Sequence, residues 1–174
     1  MTENQILDFI LKTTYTTTDL IRQINTFREF LEYKFFTSKE NVRFDDFAIE
    51  KFIPSSDTMI ISKWDETFGS SFTKINVYKI LDKVKSLLQN VPVITVYLPY
   101  TPDENEILTL IRWFKKNVHP QVLIDLRKNE ALVLGCAFAW KGIYHDFSLH
   151  YFLEKNRNAL LNLISNYAPN FSHI

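Results

Sequence analysis

Cys136, His145 and Asp146 are the side-chain types of a covalent catalyst, and Cys136 is the only cysteine among the 174 residues. A thiol activated by an imidazole is a nucleophile for acyl transfer, provided that base and thiol meet in space. The surroundings argue against it. Cys136 lies in the apolar run Leu132-Val-Leu-Gly-Cys-Ala-Phe138, where a thiol behaves as a small hydrophobe, and nothing in the pattern orients His145 to activate it. His145 and His150 are five apart across an expected strand-to-helix corner, not at the i, i+4 spacing of helical zinc sites, and His119 and His173 add no ligand cluster. Arg112, Lys115, Lys116 and His119 make a basic helical face of the right sign for phosphate, but Asp103, Glu104 and Glu106 sit beside it, so it reads as a solvated face. These residues assign no catalytic group, metal, cofactor or small-molecule substrate.

Composition narrows the classes further. Only Gly69, Gly135 and Gly142 occur, too few for a glycine-rich phosphate cradle. The formal net charge is zero and both halves are nearly neutral, which gives nucleic acid no basic face to bind. A single cysteine forms no intramolecular disulfide and fits a reducing compartment. The start of the chain lacks a basic segment followed by an apolar run, and no stretch approaches the roughly 20 apolar residues of a membrane span. The expectation is a soluble chain that reaches a membrane only through a partner.

The elements around the chemistry are readable from periodicity. Ile6, Phe9 and Ile10 mark a short first helix that ends in the threonine-rich residues 13–18. Leu20, Ile24, Phe27, Leu31 and Phe35 recur in steps of three and four as a long second helix, started by Thr16 or Thr17 ahead of Asp19. Phe44, Phe47, Ala48 and Phe52 mark a third, with Asp45 and Asp46 in its first turn. Pro54-Ser-Ser-Asp57 breaks that helix and caps a fourth along Ile60, Ile61, Trp64 and Phe68; a fifth uses Val77, Ile80, Leu81, Val84 and Leu88 and stops at Asn90-Val-Pro92. Five one-sided helices are satisfied by packing as a bundle.

Beyond Pro92 the period changes. Val93-Ile-Thr-Val-Tyr-Leu98 predicts a strand, and Thr101-Pro-Asp-Glu104 a helix start in which Thr101 caps and Glu104 reaches back. Ile107, Leu110, Ile111, Phe114 and Val118 give that helix its apolar side, and His119-Pro120 ends it. Val122, Ile124 and Leu126 alternate with Leu123, Asp125 and Arg127 as a second strand. Residues 131–140 predict a longer third strand, Lys141-Gly142 a two-residue hairpin turn, and Ile143 to Phe147 the fourth strand. Ser148 caps a closing helix with Leu149, Phe152, Leu153, Leu160, Leu163 and Ile164 on its apolar stripe, and residues 168–174 read as a frayed tail. The fold class is therefore α+β: an N-terminal all-helical bundle over residues 1–90, then a small mixed domain over residues 91–174 with a βαβ unit, a β-hairpin and a closing helix. One undivided α+β domain is the alternative.

With that order of elements, residues 91–160 resemble the C-terminal domain of the ATP synthase delta subunit, the family of the oligomycin-sensitivity-conferring protein. That family has an acidic-proline-x-leucine-x-glycine-glycine segment before a strand, and a polar "D-x-S" step into the last helix. Here the counterparts are Asn129-Glu-Ala-Leu132-Val-Leu134-Gly135-Cys136, with Glu130-Ala131 in place of acidic-proline and Cys136 in place of the second glycine, and Asp146-Phe-Ser148. Leu132, Gly135, Cys136, Asp146 and Ser148 are thus the family-motif positions. The helical first half is similar in kind to the family's N-terminal bundle. The resemblance implies a non-catalytic stator, or peripheral-stalk, subunit that links the catalytic alpha/beta hexamer to the b subunits during proton-driven ATP synthesis. It implies binding of alpha-subunit N-terminal segments by the bundle and of the b subunits by the second half. It also implies a cytoplasmic position, peripheral to the inner face of the cell membrane through the synthase. Alpha segments are expected as amphipathic helices in an apolar groove, for which Phe27, Phe30, Leu31 and Trp64 are candidate lining residues, each with a core role as the alternative. The competing reading of the whole chain is a small cytosolic α+β adaptor or regulatory protein of an unrelated family.

Overall fold

The structure is a computed structural model and describes residues 1–37 and 42–167. The expected frayed tail and His173 lie outside the described residues. The fold is α+β. Helices α1 (Glu3–Thr13), α2 (Thr17–Phe36), α3 (Phe44–Glu50), α4 (Ser55–Phe68) and α5 (Val77–Leu88) precede β1 (Val93–Leu98), α6 (Glu104–Asn117), β2 (Leu123–Lys128), β3 (Gly135–Trp140), β4 (Ile143–Ser148), α7 (Leu149–Lys155) and α8 (Arg157–Tyr167). Among the described residues no helix is long and apolar enough to cross a membrane. Contacts divide the chain into two compact units, Met1–Val93 with Ile111–Ile124 and Ile94–Leu110 with Asp125–Ile174. Unlike the single cut expected after residue 90, these units are discontinuous in the chain.

In the first unit each helix start has a local cause. Thr2 and Gln5 form a reciprocal capping box on α1, and the Thr16 hydroxyl accepts from the Asp19 N–H at 3.1 Å to start α2. Asp57 does not cap α4. It sits inside the first turn, buried, where its carboxylate accepts from Arg22 Nε at 2.6 Å and Gln23 Nε2 at 2.9 Å and so fastens α4 to α2. The core is aromatic. Phe27 meets Trp64, Phe68 and Phe72 edge-on at centroid distances of 5.9, 5.5 and 5.7 Å, and Phe30 meets Phe44 at 5.1 Å. Edge-on pairs add about 0.5–1.5 kcal/mol each beyond the area they bury. The C-terminal half of α6 joins this unit for a visible reason. Lys115 Nζ donates to the Leu11 carbonyl at 3.0 Å and lies 4.7 Å from the Tyr15 ring centre, and Gln121 Nε2 donates to Asp8 at 2.9 Å. Lys115 is therefore a half-buried clasp on the end of α1 rather than part of a solvated basic face, and burial holds its ammonium pKa below the usual lysine value.

The start of α6 differs from its expected form. Asp103 caps it, not Thr101: the Glu106 N–H donates to Asp103 Oδ1 at 2.9 Å and the Asp103 N–H to Glu106 Oε2 at 3.0 Å, a capping box displaced by two residues.

The sheet has the order β2-β1-β3-β4. The Pro92 carbonyl accepts from the Leu123 N–H and the Leu98 carbonyl from the Asn129 N–H, so β1 and β2 advance together as a parallel pair around α6. β3 runs antiparallel to both β1 and β4. β1 alternates as expected, with Ile94, Val96 and Leu98 buried, whereas Val122, Leu123 and Ile124 are all buried, so the start of β2 has no solvated face. The third strand is shorter than residues 131–140. A 3-10 turn at Glu130–Leu132 and two positive-φ residues, Val133 and Gly135, occupy its expected first half. Lys141 and Gly142 both have positive φ, the primed turn that suits a right-twisted hairpin. The closing helix is two helices, parted at Asn156, and neither buries a residue.

Candidate functional site

Gly135, Asp146 and Ser148 meet where β3, β4 and α7 join. Gly135 stands opposite Ser148 in the strand register at φ +88, and a Cβ added there would lie 2.4 Å from the Phe147 carbonyl oxygen and 3.0 Å from Ser148 Cα. Backbone occupies the space a side chain would need, so glycine is required twice over, by conformation and by room. One step earlier the Leu134 N–H donates to the Leu132 carbonyl at 2.7 Å across Val133, held at φ 62 and ψ −61. That γ-turn is strained for a β-branched residue. It aims the Leu134 carbonyl at the first N–H of α7, that of Leu149, at 2.9 Å. Leu132 is buried beneath the turn.

The polar pair completes the corner. Asp146 Oδ1 accepts from the Ser148 N–H at 2.8 Å, and the Ser148 hydroxyl, itself buried, accepts from the Tyr151 N–H at 3.1 Å and so caps α7. Hydrogen bonds from Ser148 hold the Asp146 carboxyl below the ordinary aspartate range. Four motif positions, Leu132, Gly135, Asp146 and Ser148, thereby act as one joint that sets the direction in which the chain leaves the sheet.

The fifth, Cys136, is half-buried on β3. Burial and, after it, the nearby Asp146 charge push its thiol above the usual cysteine value, the opposite of what a nucleophile needs. His145 faces Phe138 rather than Cys136 in the register, with ring centres 4.8 Å apart. The side chains of Cys136, His145 and Asp146 are thus not ordered as nucleophile, base and orienting acid. Among the described residues no three His, Cys, Asp or Glu side chains gather as a metal-binding group.

The four candidate groove residues need correction. Phe27, Phe30, Leu31 and Trp64 are all at the centre of the first unit's core, 0–2 % exposed, and Trp64 Nε1 donates to the Thr13 hydroxyl at 2.9 Å. They line nothing that a partner can reach. An accessible groove lies instead between α2 and α5, where Leu20, Ile21, Ile24, Leu88 and Lys85 surround about 340 Å³ with Val93 and Leu123 at its end. Among the described residues Lys85 is the only charged side chain lining it. The signal was present in Ile21, which falls off the inward stripe of α2 and is 62 % exposed. A second apolar patch on α3, α4 and the link between them carries Ile49, Met59 and Phe52; the last lies beyond the end of α3 rather than on its expected apolar stripe, 93 % exposed at a positive φ.

No protein-family model matches the chain, and no curated protein matches it in sequence.

Proposed function

We propose that the chain is a non-catalytic stator subunit of the delta type, linking the alpha subunits of an F-type ATP synthase to its b subunits. The observation that carries this reading is the joint at Gly135, Asp146 and Ser148. The residues that resemble the family's two short motifs stand on the two strands of one hairpin, Gly135 opposite Ser148, and pack against one another at the start of α7. The substitution of Cys136 for the second glycine is tolerable on the same geometry, because Cys136 pairs regularly with Phe147 in the ladder while the close approach falls on Gly135.

An adaptor under torque requires separate grips. On this reading the α2–α5 groove takes an amphipathic helix from an alpha subunit, its apolar side against Ile21, Leu88 and Val93 and an acidic residue toward Lys85. The second unit, with the uncovered stripes of α7 and α8, takes the b subunits. The protein would then work in the cytoplasm, at the inner face of the membrane, held there by the synthase.

The test is reconstitution with the alpha and b subunits of the same genome. Co-elution of all three on size exclusion is expected, and Ile21→Asp should remove alpha while leaving b bound. Failure to retain either subunit at low salt would reject the reading and favour an unrelated adaptor.

A further inference from the structure

We draw no further inference here: the strongest candidate, the edge of β4 with which no strand pairs among the described residues and the trough beside it walled by Tyr151, Phe152 and Lys155 of α7, carries nothing because nothing in the structure shows what covers it.

Discussion

Single residues decide whether the joint between sheet and α7 forms. Gly135 and Gly142 both have positive φ, but only Gly135 has backbone where a side chain would go; Gly142 has nothing within 4 Å. Gly142→Ala should therefore cost only the conformational penalty, about 1 kcal/mol, whereas Gly135→Ala adds a clash with the Phe147 carbonyl and should cost well over about 2 kcal/mol. Urea midpoints of the two variants test the contrast, and equal losses would deny that the corner is close-packed. Asp57 gives a pH-dependent case. Burial alone would raise its pKa, but hydrogen bonds from Arg22 and Gln23, with the Arg22 charge, outweigh it and leave the folded value below the ordinary aspartate one. A depressed acid stabilises the fold above its unfolded pKa, and that contribution fades as pH falls through the folded value. Asp57→Ala should destabilise by about 2 kcal/mol at neutral pH, less than the 3–5 kcal/mol for a fully buried pair because Arg22 keeps access to water, and the difference from the unaltered chain should shrink below about pH 4. Parallel loss at every pH would show that packing, not charge, holds α4 to α2.

At the scale of elements, what pattern alone could and could not disclose is clear from α6. Its existence and its apolar side follow from periodicity, and so did those of α2 and α5, because a 3.6-residue stripe is imposed by any core whatever its shape. Its cap was not so determined. Thr101, Asp103, Glu104 and Glu106 offer two overlapping capping boxes, and only the direction of the chain leaving β1 chooses Asp103 with Glu106. Asp103→Ala should lower stability by about 1 kcal/mol while Thr101→Ala changes it little, which thermal unfolding of the pair of variants can check. Lys115 was hidden for a related reason. Helix position places it among basic residues, and its burial depends on α1, about a hundred residues earlier. The groove is the same kind of case: Phe27, Phe30 and Leu31 lie on the apolar stripe of α2 and Trp64 on that of α4, and sequence cannot say which apolar residues the neighbouring helices will cover. Val133 and the 3-10 turn before it broke the expected long strand because the glycine at 135, needed for close approach, forces the chain to enter the ladder late.

For the molecule as a whole, the informative contrast is between a first unit with a dense aromatic core and a closing pair of helices that bury nothing. An 11-residue helix is too short to be stable in water by its own hydrogen bonds, and α8 gains no buried side chain from the chain it belongs to. Leu161, Leu163, Ile164 and Tyr167 are all at least half exposed, and they are the residues from which a helix of this length would draw its stability. Such a helix should be marginal in the free chain and secured by a partner. Ending the chain after Asn156 is therefore expected to leave the thermal midpoint of the first unit within about 1 °C, since none of its core is touched, and to remove capture of b subunits if the stator reading is right. Hydrogen exchange separates the two arms of this expectation. Amides of α8 should exchange nearly freely in the isolated chain and become protected in the reconstituted complex, while those around Phe27 and Trp64 stay slow in both. Slow exchange throughout α8 in the isolated chain, under dilution that keeps it monomeric, would mean that the helix is already supported and has no need of a partner.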